Sequence, residues 1–209
     1  MLRHVKLAGT SLGIGAAVWP LTAHRSLAEG LSFATAYAGL VLLAVALAIG
    51  PANVVQKKPN PVSTDLRRDV GIWAALCGIA HTVAGLQVHM HGDFARYFTP
   101  APGARVDVSA KAFFSANYFG MAAAILLFLL LLLSNDIALR KLGVPLWKLL
   151  QRSTYIVLAL VVLHAALYEK LEKRTALLAI ISAVTVLVVL VLQLKGALAQ
   201  SGRRSAGQK

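Results

Sequence analysis

Two histidines, His81 and His164, each lie in the middle of a long apolar segment of the chain. An imidazole in hydrocarbon is costly unless a partner satisfies it, so a histidine within a membrane segment indicates a function. Two of them on different helices can share one partner, and a haem iron with two axial imidazoles would satisfy both. The pair therefore predicts one haem b with His81 and His164 as its ligands. The alternative is that each histidine bonds a carbonyl or a serine in a helix interface.

The composition predicts the helices that must position these histidines. Apolar residues make up 58% of the 209 residues and charged residues 14%. A soluble domain cannot bury so much apolar surface, so we expect an all-α, polytopic membrane protein with a six-helix bundle as its single domain, 1–209. The predicted helices are 7–23, 31–50, 70–88, 112–133, 146–168 and 176–194. The second should stop at Gly50-Pro51, because this pair ends helices.

The charges indicate an orientation and exclude some partners. The net charge is +13, but the basic residues lie between hydrophobic segments and form no single block, which argues against nucleic acid. Connections on the side of the N-terminus, counted with the helix-start residues Lys148 and Arg152, carry twice as many Lys and Arg residues as those on the other side, so both termini should be cytoplasmic. Residues 195–209 form a basic tail, expected to be disordered or to lie on anionic lipid headgroups. The single cysteine, Cys77, excludes an intrachain disulfide and a cysteine-ligated cluster.

Matching spacings define two levels in the predicted bundle. His81 lies 13 residues beyond Arg68, and His164 lies 13 residues beyond Gln151. This spacing is roughly 20 Å of helix, which places both histidines at one height in the outer half of the membrane. Arg68 and Gln151 share an inner level that could hold a quinone headgroup, a haem propionate or a weakly bound second haem. The alternatives are that Arg68 is a cytoplasmic anchor and Gln151 a polar residue at a helix start.

Two further histidines, His89 and His91, lie at the outer end of the third predicted helix. A His-x-His pair can hold a metal ion, and Asp93 could assist. The alternatives are that both are solvated or that they contact a haem propionate or a partner.

Several runs of residues resemble the ferric-reductase-like transmembrane family over about residues 31–194. Within that family the chain is most similar to the haem-binding membrane subunit of bacterial periplasmic methionine-sulfoxide reductase systems. The runs are Arg67-Arg68-Asp69-Val70-Gly71 before His81, Asn117-Tyr118-Phe119-Gly120, Arg140-Lys141-Leu142-Gly143, and Trp147-Lys148-Leu149-Leu150 before Tyr155 and His164.

This resemblance implies a six-helix b-type cytochrome in the bacterial inner membrane. Electrons would enter from quinol or from a flavin partner carrying FMN on the inner side. They would leave to a periplasmic molybdopterin reductase that repairs oxidised methionine. His81 and His164 match the outer haem ligands of the family. Gln151 stands where that subunit commonly has a further histidine, so one haem is expected rather than two.

The sequence leaves rival functions open. It has no P-loop, no Gly-x-Gly-x-x-Gly after a strand and no Ser-His-Asp pattern, so we expect an electron-transfer subunit that lacks its own flavin or nicotinamide domain. One rival is a ferric or cupric reductase that uses His89 and His91 at the outer face. Another is a non-redox assembly subunit of a larger membrane complex, which Gln151 favours and the histidine pair opposes. A transporter is disfavoured, because no helix has a Gly/Pro interruption at the midplane.

Overall fold

The computed structural model describes residues 2–58, 64–90, 92–172 and 175–206, and all regular structure in these residues is helical. Short 3₁₀ turns cover Trp19–Thr22 and Ala95–Tyr97. The α-helices are α1 (Leu2–Val18), α2 (Leu27–Val55), α3 (Thr64–Gly85), α4 (Val108–Leu133), α5 (Asp136–Gln151), α6 (Thr154–Glu172) and α7 (Ala176–Ala206).

Helix α2 forms the centre of the bundle and packs against α1, α3 and α7. Its start is fixed by a capping box, in which Ser26 and Glu29 satisfy each other's backbone N–H groups. Small residues allow α3 to approach closely, since a Cβ on Gly39 would lie 3.4 Å from atoms of Cys77 and Gly78. The apolar core along α2 continues into α6 through Val157 and into α7 through Val189, which are both fully buried.

Polar contacts between helices show the relative directions of α1, α2, α3 and α7. Tyr37 Oη donates to the Leu178 carbonyl at 2.9 Å, and Gln193 Nε2 donates to the Leu47 carbonyl at 2.9 Å, so α2 and α7 are parallel. Arg3 pairs with Asp69 at 3.1 Å, which places the start of α1 beside the start of α3. The start of α1 and the last part of α7 therefore lie at the same end of the bundle. We call this the inner end, and the opposite end, near His81, the outer end.

The chain is a multi-pass membrane protein. In the described residues, four helical stretches are long and apolar enough to cross a membrane: Leu27–Val55, Val108–Leu133, Asp136–Glu169 and Ala176–Ser201. Helix α1 has 17 residues, and α3 begins with several charged residues. The bundle of six spans therefore stays a prediction.

The expected helix end at Gly50-Pro51 is wrong, because α2 continues through Pro51 to Val55. A proline lacks the N–H that would bond the carbonyl four residues earlier, which here belongs to Leu47. Gln193 Nε2 from α7 donates to that carbonyl instead. The helix therefore loses no hydrogen-bond partner at the proline.

Two further predictions about the helices need correction. The predicted helix 146–168 is interrupted by a turn at Arg152 and Ser153, so Gln151 ends α5 and does not lie on the helix that carries His164. The tail 195–209 is helical as far as Ala206, so the disordered alternative is wrong for that part. Residues 207–209 lie outside the described residues, and contact of the tail with anionic headgroups stays a prediction.

Candidate functional site

His81 on α3 and His164 on α6 face each other near the outer end of the bundle. Their ring centres are 6.0 Å apart, with an angle of 77° between the planes. A bond between a metal ion and an imidazole nitrogen is about 2 Å, so two axial imidazoles on one iron hold their ring centres roughly 6 Å apart. The fold thus brings the two histidines together at a spacing suited to one iron.

Each histidine is anchored through Nδ1 to a backbone carbonyl of a neighbouring helix. His81 Nδ1 lies 3.0 Å from the Ser32 carbonyl oxygen on α2, and His164 Nδ1 lies 2.8 Å from the Ala116 carbonyl oxygen on α4. A carbonyl oxygen only accepts, so Nδ1–H is the donor in both cases, and a neutral ring then carries its lone pair on Nε2. Such bonds fix the tautomer and the ring orientation of metal-ligating histidines.

Gly120 on α4 makes room for His164. A Cβ built on Gly120 would lie 2.6 Å from His164 Nδ1, closer than real Cβ contacts come. Gly120 is one helical turn beyond Ala116, so its missing side chain leaves the Ala116 carbonyl open to the imidazole. The glycine is therefore part of the site.

The two histidines line a cavity of about 180 Å³ between α2, α3, α4 and α6. Most of its lining is apolar, and glycines from three helices widen it. In the residues that the structure describes, no group of three or more His, Cys, Asp and Glu side chains could hold a bare metal ion. Two imidazoles anchored on facing helices in an apolar lining are the donor set that suits a haem iron with two axial histidines.

An aromatic and polar network continues from His164 to the outer surface. Tyr168 lies next to His164 with ring centres 4.9 Å apart, and stacks on His89 at 5.9 Å. Tyr168 Oη donates to Asn117 Oδ1 at 2.7 Å, and Asn117 Nδ2 donates to the Tyr97 carbonyl at 3.0 Å. Because Tyr168, Asn117 and Tyr97 are all buried, the network joins α4, α6 and the outer loop into one cap over the cavity.

The family model described as "Ferric reductase like transmembrane component" matches residues 34–162. This span is more than half of the chain, and it includes His81, Gly120, Arg68 and Gln151. The chain belongs to this family. No solved structure gives a significant match. Membership indicates a role in membrane electron transfer, and the more specific resemblance to the methionine-sulfoxide reductase subunit stays a prediction.

Of the two outer histidines, His89 lies among aromatic rings at the outer end of the bundle. His89 stacks on Tyr168 and contacts the edge of Phe113, with ring centres 5.6 Å apart. Asp93 pairs with Arg96 at 3.4 Å. His91 lies outside the described residues, so the predicted metal pair of His89 and His91 is not tested.

Arg68 and Gln151 lie together at the inner end, as the sequence predicts, and line one inner cavity. Arg68 forms an ion pair with Asp136, and the alternative that it is a cytoplasmic anchor stays open. Gln151 Nε2 is buried and has no hydrogen-bond partner among the described residues. Arg68 and Gln151 therefore both bring N–H groups that can donate hydrogen bonds to this inner cavity.

Several residues that shape the site have weak signals in the sequence. Ser32 is a polar residue in an apolar helix, which could have indicated a partner for a histidine. Asn117 and Gly120 stand in the run that carries part of the family resemblance, but the run alone assigns them no role. The contribution of Ala116 is its carbonyl group, and a sequence cannot show which backbone group will be a partner.

Proposed function

We propose that this protein holds one haem b between His81 and His164 and relays electrons through it across the membrane. The observation that supports this most is the pair of imidazoles at 6.0 Å, each held through Nδ1 by a carbonyl of a neighbouring helix. Membership of the ferric-reductase-like family supports the electron-transfer role.

The protein's own residues would set the properties of this site. His81 and His164 would hold the iron, and a bound haem supplies one-electron chemistry. The hydrogen bonds from Nδ1 make each imidazole a stronger base, which favours oxidised iron. The apolar lining limits access of water to the site. No side chain has to exchange a proton, in keeping with a relay rather than a catalytic centre.

The position of the histidines favours release of electrons at the outer face. Tyr168 and the exposed His89 extend the ring contacts from His164 towards the outer surface. A redox partner bound at this face would come close to the site. We propose that the acceptor is a periplasmic reductase, of the type that acts on methionine sulfoxide.

The donor would act at the inner end of the bundle. We propose quinol or a flavin partner carrying FMN, because the sequence holds no flavin-binding or nicotinamide-binding motif of its own. In the proposed orientation both termini are in the cytoplasm and the protein lies in a bacterial inner membrane. The excess of Lys and Arg at the inner end supports this orientation.

Electron transfer across a membrane tests this function. The full-length protein would be reconstituted in lipid vesicles that enclose ferricyanide, with reduced FMN or a water-soluble quinol outside. Wild-type protein should bleach the enclosed ferricyanide, and the faster donor identifies the donor class. His81→Ala and His164→Ala should lose the transfer, while the exposed His24→Ala should keep it. Transfer at the wild-type rate in both site variants would overturn the proposal.

A further inference from the structure

A second cavity of about 180 Å³ lies at the inner end of the bundle. It is enclosed by residues of α2 to α6 and shares Leu43 and Leu127 with the cavity around the histidines. The part of its lining that adjoins the cavity around the histidines is apolar and includes Leu43 and Leu127, together with Leu130 and Leu131. The rest of the lining includes basic and polar residues, namely Arg67, Arg68, Lys148, Gln151 and Arg152. The cavity is therefore amphipathic.

The basic part of the lining carries more positive charge than its neighbours neutralise. In the described part of the chain no carboxylate lines the cavity. Asp136 pairs with Arg68, but its side chain is 68% exposed, and Asp69 is engaged by Arg3. Arg67, Lys148 and Arg152 have no ion pair within the described residues. Clustered cations around a partly enclosed space favour an anion, and guanidinium groups match phosphate oxygens in geometry.

Gln151 supplies an independent observation at the same place. Its Nε2 is buried, and no acceptor lies within hydrogen-bond distance among the described residues. A buried donor without an acceptor is costly, so such a group calls for an explanation. An anionic oxygen in the cavity would accept from Gln151 Nε2 and remove that cost.

The lining does not fit a second haem iron. In the described residues that surround this cavity there is no histidine, cysteine or methionine, and the matching inner pair is Arg68 and Gln151. Neither arginine nor glutamine is a usual axial ligand. The charged groups of the lining are instead the N–H donors of Arg67, Arg68, Lys148 and Arg152, which suit an anion.

We propose that the inner cavity binds the phosphate group of an anionic phospholipid. Arg67, Lys148, Arg152 and Gln151 would contact the phosphate oxygens, and the leucines of the lining would contact the apolar part of the same lipid. This apolar lining favours a lipid over free phosphate, which has no apolar part. Basic pockets between helices at the inner side of a membrane suit anionic headgroups.

Binding of defined lipids to the delipidated full-length protein tests this proposal. Bound phosphatidylglycerol, phosphatidylcholine and inorganic phosphate would each be measured, by native mass spectrometry for the lipids and by calorimetry for phosphate. Phosphatidylglycerol should bind at least about tenfold more tightly than phosphatidylcholine. The double variant Lys148→Gln/Arg152→Gln should bind phosphatidylglycerol about tenfold more weakly than wild type. Gln151→Leu should also weaken binding. The matched control is Arg140→Gln/Lys141→Gln, which removes two exposed charges of α5 outside the cavity and should leave binding unchanged.

Three results would overturn the proposal. The first is an equal loss of affinity for phosphatidylglycerol in the cavity double variant and the control double variant, which would indicate general electrostatic attraction to the protein surface. The second is tight binding of inorganic phosphate without preference for phosphatidylglycerol. The third is a neutral quinone that binds in this cavity and leaves the amount of bound phosphatidylglycerol unchanged, which would mean that the lipid binds elsewhere. Circular dichroism of each variant verifies folding. The haem spectrum is a separate readout, because neither His81 nor His164 lines the inner cavity.

Discussion

Gly120 and His164 are in direct contact: a Cβ built on Gly120 would lie 2.6 Å from His164 Nδ1 and 2.8 Å from Cε1. The space left by this glycine lets the imidazole reach the Ala116 carbonyl at 2.8 Å. The position of His164 therefore depends on a missing side chain on α4 as much as on its own helix.

Gly120→Ala should lower the haem content of the purified protein severalfold. The added methyl group displaces the His164 ring and breaks its hydrogen bond to Ala116, so the imidazole no longer faces His81 correctly. Haem per chain is measured from the visible spectrum and the protein concentration. Gly71→Ala is the matched control, because a Cβ there has no neighbour within 4 Å. Full haem content and an unshifted spectrum in Gly120→Ala would contradict this role of the glycine.

Ser32→Ala should raise the midpoint potential of the proposed haem by about 20–60 mV. The Ser32 hydroxyl lies 3.1 Å from His81 Nδ1, and the backbone carbonyl of the same residue remains in the variant. Loss of one acceptor makes the ligating imidazole less basic and so disfavours oxidised iron. A spectroscopic redox titration measures the change. Thr185→Val is the control, since that hydroxyl donates to a backbone carbonyl of its own helix. A lowered midpoint potential in Ser32→Ala would contradict a role of Ser32 in making His81 more basic.

Asn117→Leu should destabilise the protein by about 1–3 kcal/mol, because it removes the hydrogen bonds that two buried groups make with the Asn117 side chain. Those groups are Tyr168 Oη and the Tyr97 carbonyl, which Asn117 bonds at 2.7 Å and 3.0 Å. Thermal unfolding in detergent should show a lower transition temperature. Tyr118→Phe removes an exposed hydroxyl bond to the neighbouring Phe98 carbonyl and should change stability little. An equal fall in transition temperature in the two variants would show that the buried network stabilises the protein no more than the exposed hydrogen bond does.

Gly143→Ala should destabilise the protein by about 1–3 kcal/mol, the usual cost of a side chain in a backbone conformation reserved for glycine. Gly143 has φ 71° and ψ 157° and forms the kink within α5. The part of α5 beyond this kink carries Trp147, which is buried and donates to the Leu133 carbonyl at 2.8 Å. Gly9→Ala, in an exposed helical position, should be neutral or slightly stabilising. Chemical unfolding of both variants measures the change in the free energy of unfolding. Unchanged stability of Gly143→Ala would show that the kink tolerates another conformation.

The sequence predicted the central contact of the site because two polar residues stand out in apolar segments. His81 and His164 are 83 residues apart in the chain, yet each stands out as a polar residue in the middle of an apolar segment. Their equal spacing from Arg68 and Gln151 did not measure depth along one helix, because a turn at Arg152 and Ser153 separates Gln151 from the helix that carries His164. Arg68 and Gln151 were likewise predicted to share a level, although the turn after Gln151 changes the helix on which it lies. Polar residues inside apolar helices are thus informative about depth.

The parts that the sequence did not predict depend on contacts between distant helices. Pro51 continues a helix because Gln193, far along the chain, satisfies the Leu47 carbonyl that the proline leaves without a donor. A local pattern cannot contain that information. The same holds for Gly120, whose role becomes visible only when α6 is packed against α4.

The central proposal is that His81 and His164 bind one haem between them. The most direct test is a dithionite-reduced minus oxidised visible spectrum of the purified protein, with haem quantified per chain, for wild type, His81→Ala and His164→Ala. We predict sharp b-type bands at about one haem per chain in wild type, and loss of the bands in both variants while the protein remains folded in the membrane. A folded wild-type protein without haem, or either variant with its full haem spectrum, would contradict the account.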